Sequence, residues 1–135
     1  MLLLSTPALN FAYGTGNNLT KEQKQEYIES MYRIIFHAAV SEGREYIALP
    51  AAGLGVFGGN PEQYFSALMK VAKEFPQLNI IYNSGHPNNA PLFDKLLEEH
   101  KPTNIMRTDR DVLFLAHELT QQGHSCAFHN PSDAD

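Results

Sequence analysis

The stretch EYIALPAAGLGVFGGNPEQYF, from Glu45 to Phe65, constrains the fold more than any other part of the chain. It reads as a short apolar strand, Tyr46-Ile47-Ala48-Leu49, closed by Pro50. A loop follows with Gly53, Gly55, Gly58 and Gly59 set around Phe57, and then a helix begins. Asn60 is a natural N-cap and Pro61 a natural first helical residue, because proline's missing N–H would be an orphan at that position anyway. A glycine-rich turn between a strand and a helix lets backbone N–H groups approach an anion, and the helix dipole adds a favourable field at the same place. The expectation is a loop that cradles a phosphate or diphosphate.

Composition narrows the setting. With 135 residues, 43% hydrophobic and 19% charged, the chain suits one globular domain over residues 1–135 with a core that needs no disulfide staples. The single cysteine, Cys126, excludes an intramolecular disulfide and a cysteine-based zinc site, and fits a reducing compartment. The opening MLLL lacks a basic flank and meets Ser5-Thr6-Pro7 too early for a signal sequence. No run approaches the ~18–20 apolar residues that span a bilayer. A soluble, cytoplasmic protein with no membrane contact is therefore expected. The net charge is −5 and the basic residues are scattered, which argues against general nucleic-acid binding. A small anion held by backbone N–H groups remains compatible with that charge.

Read in order, residues 2–5 form a buried strand that extends toward Asn10, with Pro7 barred from a central ladder position. The segment FAYGTGNN, 11–18, is a turn-rich loop. Thr20 opens a helix, Gln23 completes a capping box, and the helix runs to about Glu42 with Gly43 as its stop. Tyr27, Met31, Ile34, Ile35, Ala38 and Ala39 make its inner face, and Lys21, Lys24, Glu26, Glu29 and Arg33 its outer one. A second helix is expected over about Pro61–Phe75, a strand over Leu78–Tyr82, and a polar loop from Asn83 to Asn89. A third helix covers about Ala90–His100. Ile105-Met106 reads as a short strand, and Thr108 as the cap of a helix over about Asp109–Gln122 whose inner face is Val112, Leu113, Leu115, Ala116 and Leu119. Ser125-Cys126-Ala127-Phe128 is a last strand, followed by a polar tail.

The strands read as continuous apolar runs separated by helices, the pattern of an α/β fold: a three-layer α/β/α sandwich around a mainly parallel sheet. Ligands bind such sheets at the carboxyl ends of the strands. The loops at 50–60 and 82–89 and the tail at 129–135 are all expected on that rim.

Ile47 to Gly53, Gly55-Val56-Phe57-Gly58, Asn60-Pro61 and Ile80-Ile81-Tyr82-Asn83 follow one another in an order that resembles the macrodomain family and its poly(ADP-ribose) glycohydrolase relatives. There, a helix precedes a strand of the IALPAAG type, and a G-[IV]-[FY]-G loop and a helix starting near Asn/Asp-Pro come next. The resemblance covers roughly Leu19 to Leu97. It implies that ADP-ribose, or an ADP-ribosylated group, is the partner. Gly53, Leu54, Gly55, Val56, Phe57 and Gly58 would wrap the diphosphate, with Phe57 against the terminal ribose, and Tyr82 and Asn83 would border the adenine.

The chain departs from the family in its first residues. Before Leu19 there is no room for the family's Asp-Ile-type adenine contact, its N-A-A-N segment or its second glycine loop, and the paired glutamates of the cleaving relatives have no counterpart there. Phe128-His129-Asn130-Pro131-Ser132-Asp133 offers a substitute: an apolar strand ending in an asparagine-led polar turn. In a permuted or truncated arrangement this end would bring Asn130 and Asp133 beside the glycine loop. The alternative is a terminal turn made by Asn-Pro and Ser-Asp.

Other chemistry fits less well. Among the six histidines no pair has ligand spacing on one helix face, so no metal is expected, and no cofactor. Of the six, only His86 is placed near the rim. Ser84-Gly85-His86 lacks the G-x-S-x-G elbow of a serine hydrolase, and the glycine loop lacks the Lys-Ser/Thr of a P-loop. Three functions stay open: ADP-ribose binding, ADP-ribosyl hydrolysis at the same site with an unassigned catalytic group, and a non-binding interaction scaffold.

Overall fold

The computed structural model describes residues 1–8, 18–50 and 60–133, with residues 5–8 and 131–133 described as backbone only. The elements are β1 (Leu2–Ala8), α1 (Lys21–Ser41), β2 (Tyr46–Leu49), α2 (Pro61–Ala72), β3 (Asn79–Asn83), α3 (Ala90–His100), β4 (Ile105–Thr108), α4 (Val112–Gln121) and β5 (Cys126–Asp133). A 3-10 turn, Pro87–Asn89, leads into α3.

The five strands form one sheet in the order β1-β5-β2-β3-β4, with every pairing parallel. Alternate residues enter opposite layers, as the two-residue strand period demands. Ile47, Leu49, Ile80, Tyr82 and Ala127 pack with α1, α2 and α3, whereas Ala48, Ile81 and Cys126 pack with Val112 and Ala116 of α4. The expected three-layer α/β/α sandwich is therefore present. Its asymmetry follows from crossover handedness. The connections through α1, α2 and α3 all step the same way along the sheet, while α4 carries the chain back from β4 to β5 and so lies on the other face.

Local chemistry sets the helix ends. Thr20 and Gln23 form a reciprocal capping box, with Gln23 N donating to Thr20 Oγ1 at 3.1 Å and Thr20 N to Gln23 Oε1 at 2.9 Å. Asn60 caps α2 by accepting from Glu62 N at 2.9 Å, with Pro61 in the first turn. Gly43 takes φ +69° just beyond α1, the left-handed stop that glycine favours.

Several expectations are corrected. On α1, Ile34 is 63% exposed and Glu29, placed outside by pattern, is 7% exposed. The helix turns its Ile28, Tyr32, Ile35 and Phe36 edge inward, and Glu29 meets Lys70 of α2 at 3.1 Å. Helix α2 ends at Ala72, short of Phe75. The buried Asn104 amide donates to the carbonyls of Ala72, Phe75 and Leu78, which holds residues 73–78 in turns. Helix α4 is capped by Asp111 and not Thr108, because Thr108 stays in β4 opposite Asn83 and its hydroxyl accepts from Arg110 N. Leu113 is consequently exposed on α4.

The largest correction concerns the tail. Residues 129–133 are not a loop: β5 continues through Pro131 to Asp133, paired residue for residue with β1 from Leu2↔Ala127 to Ala8↔Asp133. The pairing of β2 with β5 ends at Ala48↔Phe128, so Pro131 lies past it, where its missing N–H breaks no recorded bond to β2.

Candidate functional site at the carboxyl edge of the sheet

Because the sheet is parallel, all five strands leave it at one edge, and α1, α2, α3 and α4 begin there. Phe128 lies level with Ala48, so β5 emerges immediately beside β2. Tyr82 lies level with Leu49 on the other side. The strand leading into the glycine-rich segment is thus flanked by the two strands that carry the remaining candidate residues.

Gly53, Leu54, Gly55, Val56, Phe57 and Gly58 lie outside the described residues. Tyr82 is fully buried, beneath the rim. Its ring packs edge-on with Phe65 and Phe93 at 5.8 and 5.6 Å, its hydroxyl sits 3.4 Å from that of Tyr32, and burial pushes its phenol up to about 12. Its side chain supports the site from below; only its backbone reaches the edge.

Asn83 is half-buried and already engaged at both ends. Its Nδ2 donates to the Arg110 carbonyl at 3.0 Å and its Oδ1 accepts from Gly85 N at 2.8 Å. The side chain ties the exit of β3 to the start of α4 and closes a tight turn in which Gly85 has φ +80°. Asn130 is exposed on β5 opposite Ser5, and the Asp133 backbone lies opposite Ala8.

The corner after β3 is otherwise densely satisfied. Asn89 Nδ2 donates to the Ser84 carbonyl at 2.9 Å, and His86 Nδ1 accepts from Asn88 N at 3.1 Å, which leaves Nε2 as the proton-bearing nitrogen of a neutral His86. Ser84 is the exception: it is 1% exposed and its Oγ has no hydrogen-bond partner among the described residues. This hydroxyl was not singled out as a binding group from the sequence. Ser-Gly after a strand signals a turn, and nothing in the letters shows that a hydroxyl is buried without a partner.

His129 opens the segment expected on the rim as a polar tail, but it lies inside the sheet. It follows Phe128 on β5, is 1% exposed, and burial pushes its imidazole down to about 4, so it is neutral. Its alternation with Ala127 is the signal that points it to the buried α1 layer. On the far side, Asp111 accepts from Leu113 N at 2.9 Å, and Asp109 pairs with Arg107 at 2.7 Å. Both carboxylates are committed.

A cavity of about 350 Å³ opens between the first turns of α1 and α2, lined by Lys21, Glu22, Gln25, Glu26 and Gln63. Both helices start at the carboxyl edge, so the cavity lies on the helical flank of the rim. A smaller one of about 150 Å³, lined by Tyr46, Asn79, Asn104 and Ile105 among others, sits at the opposite, amino edge. Among the described residues no three His, Cys, Asp or Glu side chains are grouped to hold a metal ion, and no helix is long and apolar enough to cross a membrane.

No protein-family model matches the chain, and no curated protein matches it. The functional reading therefore rests on the rim.

Proposed function

We propose that the carboxyl edge of the sheet binds ADP-ribose or an ADP-ribosylated group, with the diphosphate taken by the glycine-rich segment after β2. One observation carries the reading: β5 stands directly beside β2, level at Phe128 and Ala48. The strand end Asn130-Pro131-Ser132-Asp133 and the strand leading to Gly53–Gly58 thus share one edge, although 70 or more positions separate them in sequence. The sequence resemblance asks for an asparagine-led strand end at that place. The start of α2, capped through Asn60 and rooted at the same edge, adds a field that favours an anion.

Hydrolysis at the same site is the second reading, and two carboxylates near the exits of β3 and β4 are already engaged. Cleavage at the terminal ribose needs a general acid or base within hydrogen-bond reach. Asp111 caps a helix and Asp109 holds an arginine, so neither is poised for that role.

Titration calorimetry with ADP-ribose tests the proposal. Saturable heat in the micromolar range is expected. No heat and no thermal shift at millimolar ligand would overturn it. Gly55→Val is expected to abolish the heat while the melting temperature of the ligand-free protein stays put; unchanged affinity would remove the diphosphate from that segment.

A further inference from the structure

We infer that the cavity between the first turns of α1 and α2 is a docking pocket for an arginine side chain of a partner polypeptide, its guanidinium held by Glu22, Glu26 and the Gln63 amide oxygen. All three residues lie on α1 and α2, so the pocket stands without ADP-ribose and adds a second binding surface on the flank of the rim.

Gln63 is the decisive group. It is 7% exposed, and its Nε2 donates to the Lys21 carbonyl at 3.0 Å, which fixes the orientation of the amide. Its Oε1 accepts no hydrogen bond among the described residues, yet it is not one of the atoms sealed from solvent without a partner. Because Gln63 is buried apart from the cavity it lines, that oxygen opens into the cavity. Buried amides ordinarily satisfy both ends. Here one end anchors the wall and the other waits for a donor.

The α1 wall supplies the charge. Glu22 and Glu26 are exposed, stand four positions apart on one helix face, and form no ion pair among the described residues. Like charges at that spacing repel, and a cation between them reverses the sign. Glu29, one turn on, already has its cations in Lys70 and Arg33. Gln25 spends its Nε2 on Glu29 and keeps its Oε1 as a further acceptor. With Lys21 set against two carboxylates, the lining remains negative.

The helix ends do not overturn that sign. Thr20 and Asn60 already accept from first-turn N–H groups of α1 and α2. The lining positions 21, 22, 25 and 26 form a stripe along the side of α1, not a mouth beyond its end.

The spread of acceptors selects the cation. They stand on two helices, and a planar guanidinium fork with five N–H donors reaches both, whereas an ammonium is a compact point charge. At about 350 Å³ the cavity is at the small end of ligand pockets, with room for one long side chain and none for the backbone that carries it. The arginine therefore enters from a chain lying outside.

NMR titration with N-acetyl-arginine amide at low salt tests the pocket, with the lysine and citrulline counterparts and inorganic phosphate as separate arms. Saturable millimolar shifts at residues 21–26 and at the Gln63 side-chain amide are expected for the arginine compound, weaker binding for lysine, and none for citrulline or phosphate. Glu22→Gln combined with Glu26→Gln is expected to weaken binding about tenfold at an unchanged melting temperature. Glu98→Gln with Glu99→Gln, which removes the same charge from the exposed face of α3, should leave it as in wild type. The pocket is overturned by absence of saturation at tens of millimolar probe, or by citrulline or lysine binding as well as arginine. Phosphate shifting the same amides, unchanged affinity in the Glu22/Glu26 variant, or an equal loss in both double variants would overturn it too. No nucleotide enters these measurements, so their failure leaves the Proposed function standing, and the converse holds.

Discussion

Phe128 of β5 lies level with Ala48 of β2 in a parallel pair, across 80 positions of sequence. That single register brings the last described strand into the interior of the sheet, between β1 and β2. It also gives the segment after Leu49 a neighbour ending in Asn130-Pro131-Ser132-Asp133, and the first prediction concerns that neighbour.

Asn130 is exposed, so truncating its side chain removes little packing. Asn130→Ala is expected to weaken ADP-ribose binding about tenfold, as the loss of one or two polar contacts implies, while the melting temperature moves by less than about 2 °C. Calorimetry paired with a melting curve reads both. Unchanged affinity would place the ligand away from the β5 end.

Asn104 is the principal buried polar anchor far from the site. Its amide serves the carbonyls of Ala72, Phe75 and Leu78, and Asn104→Ala leaves all three short of that donor. A loss of about 2–3 kcal/mol is expected, read as a lower urea midpoint at unchanged slope. The amino edge carries no proposed ligand contact, so ADP-ribose affinity at low temperature should stay as in wild type.

Glu29 fastens α1 to α2. Burial alone would raise its carboxyl, but hydrogen bonds from Lys70 and Gln25, with the charges of Lys70 and Arg33, hold it below the usual glutamate range. Glu74, bonded to Arg33, is held low in the same way. A carboxylate depressed in the folded state stabilises above its unfolded value and loses that contribution as pH falls through the folded one. Stability is therefore expected to decline below about pH 4.3 through these two groups. Glu29→Gln should lose about 1 kcal/mol at pH 7 and flatten that limb of the profile. An unaltered acid limb in urea titrations of the variant would assign it elsewhere.

His129 adds a second window at higher pH. Burial lowers its folded value to about 4 from an ordinary value near 6.5, so between those limits the unfolded chain binds the proton and the native one does not. Stability is thus expected to rise from about pH 4 to 6.5 and then level off. NMR titration should show the His129 ring neutral down to about pH 4, and a ring that titrates near 6.5 would refute this.

Much of the architecture was legible from local pattern. The cap at Thr20 with Gln23, the Asn60-Pro61 start of α2, the strand Tyr46–Leu49 and the helix Ala90–His100 each follow from chemistry within a few residues, and each stands where expected. What misled was chemistry whose partner is distant. Glu29 looks like a surface charge until α2 brings Lys70 within 3.1 Å. Asn130-Pro131 looks like a turn until β1 pairs alongside it.

By itself, then, the amino-acid sequence determined the elements and their class: apolar runs without alternation make strands covered on both faces, and capped amphipathic runs make the helices between them. Only the tertiary structure decided the strand order, the insertion of β5 between β1 and β2, and the burial of Asn104 and His129. Those depend on which distant segments bury one another's faces, and no short-range propensity encodes that choice.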